Sequence, residues 1–238
     1  MDAQSAVNGT NTSNAALRAV LDRLTPEAVE PPKARLVQHS AESVEHGTPE
    51  YLATKIRYSL GGIDMDPASS RLANQVIRAR RIYTKSSNGL DKPWLGRVYL
   101  NPPGGALARN APSRERHFGK RLYASPAALS RAAIWWAKLV QEFRRGRTDE
   151  SIFMGFTLEI MRSAQNSSAW QPCDYAWCVP RRRIPYDDIS GKVRVPTAKP
   201  PHANMIVLLW RYEDTLARFV EAFASEGRCF RGQSLSVS

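Results

Sequence analysis

Cysteine is scarce in this chain. There are three, Cys173, Cys178 and Cys229, an odd set without the paired spacing of metal ligands, and the four histidines, His39, His46, His117 and His202, are scattered. This excludes a disulfide framework, offers no zinc or other metal site, and fits a reducing, cytoplasmic compartment. Long apolar runs are missing too. No stretch of about 18 apolar residues is present, so neither a transmembrane segment nor a signal peptide is expected. No Lys-rich amphipathic helix points to a membrane surface. The third shortage is of acid. Asp and Glu number 22 against 34 Lys and Arg, leaving a net charge of +12 and a pI near 10.0. Such a balance favours a polyanionic partner, with nucleic acid as the first candidate.

What is present is enough for a folded core. The 238 residues are 42% hydrophobic and include six Trp, eight Tyr and seven Phe. That supports one sizeable domain or two small ones and excludes a disordered chain. Residues 1–40 are rich in Asn, Ser, Thr and Ala. A short helix over Ala15–Leu24 would be broken by Pro26, Pro31 and Pro32, so this region reads as a flexible N-terminal arm. The domain proper is expected over residues 41–228, with a disordered tail over 229–238.

Within the domain, Thr48-Pro49-Glu50 reads as a helix start: cap, proline at the first position, acid in the first turn. Leu52, Ile56 and Leu60 form its apolar face and Gly61-Gly62 stops it. Ile63-Asp64-Met65-Asp66-Pro67 reads as a short strand with an acidic end. Residues 71–84 are helical first and extended around Ile82-Tyr83, and Asn88-Gly89 is a turn. Arg97–Leu100 is a strand. A helix from Ser125-Pro126 places Leu129, Ala133, Trp136, Val140 and Phe143 on one face. Further strands are expected at Ile152–Met154, Tyr175–Val179 and Met205–Trp210. A last helix over Glu213–Glu226 turns Leu216, Phe219, Val220 and Phe223 inward and stops at Gly227. Apolar strands separated by helices predict an α/β sandwich with a mostly parallel central sheet. Ligands of such sheets bind beyond the carboxyl ends of the strands, the edge that would carry Asp66 and Asn101.

The most informative stretch is Val98-Tyr99-Leu100-Asn101-Pro102-Pro103-Gly104. An apolar strand runs directly into Asn-Pro-Pro. The exocyclic amine of adenine or cytosine is a poor nucleophile, because its lone pair is delocalised into the ring. An Asn side-chain oxygen and the next backbone carbonyl can each accept one of its N–H bonds and favour a pyramidal nitrogen. Two prolines lack N–H donors and fix φ, which holds those acceptors rigidly. A plain Pro/Gly turn has the same residue types, so the surroundings decide.

Those surroundings run in order: Thr48-Pro49-Glu50, Ile63-Asp64-Met65-Asp66-Pro67-Ala68-Ser69, Asn88-Gly89-Leu90 with Trp94, then Asn101-Pro102-Pro103. The order and spacing resemble the phage-type DNA N-6-adenine methyltransferase family. Arg183-Ile184-Pro185-Tyr186 and the apolar strand after Pro200-Pro201 are similar to its C-terminal half. The resemblance covers roughly residues 40–212. It implies a Rossmann-like methyltransferase domain that uses S-adenosylmethionine to methylate the N6 amine of adenine in DNA. Cytosine N4 is the alternative, as is an inactive methyltransferase fold acting as a DNA-binding module. Methylation of RNA or of a protein amide side chain is a further rival, and the +12 charge favours nucleic acid over a protein substrate. The resemblance further implies that Asn101, Pro102 and Pro103 hold the target amine. It puts Thr48 and Pro49 at the methionine end of the cofactor, with Asp64 or Asp66 facing its amino group. Pro67 and Ala68 belong to the same pocket, and small residues at Ala68 and Ser69 leave room for the ligand. Gly104 stands where the family has an aromatic residue that stacks on the flipped base; Tyr99, Tyr123 or Trp135 are the candidates to replace it. DNA contacts are expected from Arg109, Arg114, Arg116, Lys120 and Arg121 in the loop after Asn-Pro-Pro, and from Arg181, Arg182 and Arg183. The oligomeric state is left open.

Overall fold

The computed structural model describes residues 45–104, 130–156, 175–196 and 203–232. The chain divides into units 1–43 and 44–238, and all described residues lie in the second.

Helix α1 (Glu50–Leu60) starts one position later than expected. Pro49, extended at φ −64° and ψ 149°, is its N-cap and donates nothing. Thr48 does not cap; its hydroxyl bonds Tyr99 instead. Leu52, Ala53, Ile56 and Leu60 are buried, and Gly61 ends the helix at φ 65°, a left-handed turn that glycine adopts without steric penalty. Helix α2 (Arg71–Ile77) is capped by the Ser70 hydroxyl, which accepts from the Ala73 N–H. Helix α3 (Arg131–Arg144) is capped in the same way by Ser130; Ala133, Trp136 and Val140 are buried on it as expected, Phe143 is half-buried, and Ser125-Pro126 and Leu129 lie outside the described residues. Helix α4 (Glu213–Phe223) buries Leu216, Phe219 and Phe223, whereas Val220 is 43% exposed. Gly227 is not its stop. A Cβ there would lie 2.0 Å from the Val179 carbonyl oxygen, so glycine is required by a close strand crossing.

The main sheet has seven strands among the described residues: β2 (Met65–Asp66), β3 (Arg81–Ile82), β4 (Gly96–Leu100), β5 (Thr148–Phe156), β6 (Ala176–Pro180), β9 (Asn204–Leu209) and β10 (Gly227–Arg231). Their order is β10-β6-β9-β5-β4-β2-β3. From β3 to β5 the neighbours are parallel; from β5 to β10 they are antiparallel. The protein is therefore mixed α/β, and the expected mostly parallel sheet holds for only half of the neighbours. The reason is β9. It is buried at every position, and a strand covered on both faces reads as an unbroken apolar run whichever way it points.

Period-two alternation divides the core. Ile152 and Met154 face α1 and α4 together with Ile206, Leu208, Phe219 and Phe223. Phe153 faces the other side with Val207, Trp94, Trp135 and Trp136 of the α3 layer. Each such side chain contributes about 1.5–3 kcal/mol by leaving water. A small antiparallel sheet, β1 (His46–Gly47), β7 (Asp187–Asp188) and β8 (Val195–Pro196), pairs His46 with Asp188 and Gly47 with Asp187. Strand β10 also corrects the expected tail at 229–238: Cys229, Phe230 and Arg231 pair with Cys178, Trp177 and Ala176. Its alternating polar composition is that of an edge strand, which a search for apolar runs passes over.

Candidate functional site

In chain order the parallel half begins with β2. The next strand, β3, joins one side of it, and β4 joins the other. Strand order thus reverses at β2, and ligands of open α/β sheets bind beyond the carboxyl ends of the strands at such a reversal, here those of β2 and β4. Asp66 ends β2, and Asn101 follows the last residue of β4.

Asp66 is buried, with 3% of its surface exposed. Burial pushes its carboxyl up to about 7, against the hydrogen bonds from the Ser69 side chain and the Ala68 N–H, the latter at 3.1 Å. Among the described residues no cationic side chain pairs with it. Asn101 is half-buried, and its Nδ2 donates to the His46 carbonyl oxygen at 3.1 Å. That bond fixes the side-chain amide and leaves Oδ1 as its acceptor atom. Pro102 and Pro103 are half-buried and Gly104 is exposed. The Thr48 hydroxyl meets the Tyr99 hydroxyl at 2.5 Å. Burial raises the Tyr99 phenol well above its ordinary range, so it stays neutral. Tyr99, Thr48 and Asn101 therefore join strand β4 to the entry of α1.

The two acidic candidates part company. Asp64 accepts from the Arg97 side chain at 2.9 and 3.1 Å and from the Arg97 backbone N–H at 3.0 Å. Arg80 lies 3.2 Å away. The Arg97 bonds hold the Asp64 carboxyl below its usual range despite partial burial. Asp64 ties the amino ends of β2, β3 and β4 together, and its oxygens are occupied. A shallow cleft of about 300 Å³ lined by Asp64, Arg80, Arg81 and Gly96 opens at that end, away from Asn101.

Pro67 is buried beneath the turn at Gly89, where a Cβ would lie 2.0 Å from the Pro67 carbonyl oxygen. The Trp94 indole N–H donates to the Gly89 carbonyl at 2.8 Å. Asn88-Gly89-Leu90 and Trp94 are thus a buttress under the Asp66-Pro67-Ala68 turn. On the other side, Arg194 donates to the Thr48 carbonyl at 2.9 Å and to the Asp187 carboxylate at 2.5 Å. This clamps the small sheet onto the start of α1. Tyr186, from the Arg-Ile-Pro-Tyr stretch, is buried with its ring 6.0 Å from that of His46.

Compared with known protein families and with curated proteins, the chain matches none.

Sequence reasoning missed His46, Asp187 and Arg194. Nothing in their spacing from Asn101 signals contact, because β1, β7 and β8 converge only in the fold. Two of the aromatic replacements for Gly104 are corrected. Tyr99 is fully buried on Thr48, and Trp135, 5% exposed, stacks on Trp94 with ring centroids 5.9 Å apart. Tyr123 lies outside the described residues. So do Arg109, Arg114, Arg116, Lys120 and Arg121. Arg181, Arg182 and Arg183 are exposed and follow β6 directly. Strand β9 is antiparallel to both β5 and β6, so β6 points the same way as β4 and β5. Its carboxyl end, and the three arginines, therefore share the edge that carries Asn101. Arg181 also bonds the Ser225 carbonyl at 3.0 Å. Among the described residues there is no cluster of three His, Cys, Asp or Glu side chains fit to hold a metal ion, and no helix long and apolar enough to cross a membrane.

Proposed function

We propose that this protein is an S-adenosylmethionine-dependent methyltransferase acting on the exocyclic N6 amine of adenine in DNA. The observation that carries this reading is one juxtaposition. A rigid Asn101-Pro102-Pro103 turn and a buried carboxylate, Asp66, without a cationic partner among the described residues, flank the same switch point of the sheet. Five strands sharing one direction, with β9 reversed between two of them, support a Rossmann-like relationship.

The residues present fit the cofactor. A buried, unpaired carboxylate is costly unless a cation joins it, and Asp66 suits a ligand ammonium group. Thr48, Pro49, Pro67 and Ala68 would border that ligand. When bound, S-adenosylmethionine supplies an electrophilic methyl group. The chain's own part is positioning. The His46 carbonyl holds the Asn101 amide, and Asn101 Oδ1 accepts one N–H of the target amine. The carbonyl of Pro102 accepts the other. Both acceptors act most strongly as the nitrogen becomes pyramidal and its charge develops, which is when positioned polar groups lower a barrier. A duplex hides that amine, so the base must leave the stack.

The test is direct. Purified protein, DNA and methyl-labelled S-adenosylmethionine are incubated, and the nucleosides are resolved by mass. Label in N6-methyladenine is expected. Label only in N4-methylcytosine moves the reading to the other amine, and absence of label with intact cofactor binding favours the second reading. That second reading, a DNA-binding module on an inactive methyltransferase fold, is favoured by one feature: Gly104 offers no ring for the base, and Tyr99 and Trp135 are both buried.

A further inference from the structure

Cys178 of β6 and Cys229 of β10 are Cα partners across an antiparallel ladder. The flanking hydrogen bonds fix the kind of pair. The Arg181 N–H donates to the Glu226 carbonyl at 2.8 Å, and the Gly232 N–H to the Tyr175 carbonyl at 3.0 Å. Bonded and non-bonded pairs alternate along such a ladder. The bonded pairs are those of residues 175, 177, 179 and 181, so Cys178 and Cys229 form a non-bonded pair. Cα atoms in that arrangement are about 4.5 Å apart, with side chains on one face, inside the roughly 4.4–6.8 Å that a disulfide spans. The two residues face each other across the ladder, close enough for each thiol to perturb the other's ionisation. Cys178 is fully buried and also reaches the Phe223 carbonyl at 3.8 Å, whereas Cys229 is half-buried at the sheet's edge strand.

We propose that Cys178 and Cys229 are a thiol–disulfide exchange site that closes to a reversible cross-strand disulfide, with a low-molecular-weight disulfide such as oxidised glutathione as oxidant.

The pair divides the work. The neighbouring Cys178 lowers the Cys229 thiol below its ordinary value, whereas Cys229 and burial raise Cys178. Cys229, the more exposed, attacks first as thiolate. Its sulfur bonds to one glutathione sulfur, and the S–S bond of the oxidant breaks to release one glutathione thiolate. Cys178 then loses its proton and attacks the Cys229 sulfur, releasing the second glutathione. Two cysteines are oxidised by two electrons and one glutathione disulfide is reduced to two thiols. No backbone shift is needed, because strand pairing already sets the distance. The product staples β10, held on one side only, to β6.

The full-length protein is equilibrated, folded, in glutathione buffers from fully reduced to fully oxidised, acid-quenched, unfolded and alkylated. The chain has three cysteines, Cys173, Cys178 and Cys229. The expected result is loss of two of the three labels, a non-reduced peptide joining 178 to 229, and recovery of all labels with dithiothreitol. Cys178→Ser should arrest the reaction as a glutathione adduct on Cys229, and Cys173→Ser should change nothing. Full labelling of the parent in oxidised buffer, or a crosslink made mainly through Cys173, overturns the proposal. The parent measurement needs no variant, and its outcome is independent of whether the protein methylates DNA.

Discussion

Asn101 gives its amide nitrogen to the His46 carbonyl and keeps its oxygen for something else. An acceptor that matters mainly in the transition state should show in turnover rather than in binding. Asn101→Ala is expected to lower methyl transfer by about 2–4 kcal/mol, roughly 30- to 1000-fold, while S-adenosylmethionine affinity by calorimetry stays near that of the parent. Near-normal turnover removes Asn101 from the proposed role. Asp66 makes a pH prediction. Its carboxyl is near 7 in the folded protein and near 3.8 when free of burial. Between these values the folded state holds a proton that the unfolded chain has lost. Stability from this group is therefore full below about 4, falls as pH rises towards 7, and is level above it, a change on the order of 4 kcal/mol. Asp66→Asn should flatten that slope in urea melts from pH 4.5 to 7.5, and should weaken S-adenosylmethionine binding at least about tenfold. Parallel slopes in parent and variant would show that the carboxyl is not held protonated by the fold. Sequence offered Asp64 and Asp66 equally, since residues two apart share one strand face. The choice rests on Arg97 of β4 and on Arg80, just before β3, which both reach Asp64.

At the scale of elements, the turn at Asn88-Gly89-Leu90 explains why its spacing from Asp66 and Trp94 was legible as a motif. Gly89 sits against the Pro67 backbone, where no side chain fits, and Trp94 holds Gly89 from behind. Gly89→Ala must push Pro67, and Asp66 with it, out of place. The expected cost is about 1–3 kcal/mol, a drop of roughly 3–10 °C in Tm, together with weaker S-adenosylmethionine binding. Gly146→Ala is the matched control. Gly146 has φ 71° with open space around it, so only backbone strain of about 1–2 kcal/mol is expected, with ligand affinity unchanged. Equal loss of affinity in both variants would make the Gly89 turn a general stabiliser and not a support of the site. Helices were readable from their apolar spacing, but the Ser130 cap of α3 was not, and the expected start at Ser125-Pro126 lies outside the described residues. Strand direction was not readable: β9 buries both faces, and nothing in Asn204–Leu209 records which neighbour it opposes. Nor was the alignment of Cys178 with Cys229, which comes from the register of β6 and β10.

At the scale of the molecule, 34 basic against 22 acidic residues suit the proposed DNA partner, which releases counterions when its phosphates are neutralised. Two basic surfaces compete for it. Arg114, Arg116 and Arg121 belong to the segment that follows Asn101 in sequence. Arg182 and Arg183 follow β6, three strands from β4, or about 14 Å across the sheet at ordinary strand spacing. In the proposed reading a flipped base at Asn101 requires phosphates gripped nearby, and both basic stretches are candidates, one by sequence proximity and one by the shared sheet edge. Each residue that meets a phosphate should contribute about 0.9 to the slope of log affinity against log salt. Replacing Arg114, Arg116 and Arg121 with alanine together should lower that slope by close to 3, and weaken binding to all sequences alike. Replacing Arg182 and Arg183 should lower it by close to 2. Both variants should keep the parent's affinity for S-adenosylmethionine, because neither set belongs to the proposed cofactor pocket. A parent-like slope in the first variant makes that segment a solvated insertion and leaves the arginines after β6 as the grip. A parent-like slope in both places the duplex on another surface altogether, and the reading of the carboxyl edge as the DNA-facing side fails with it.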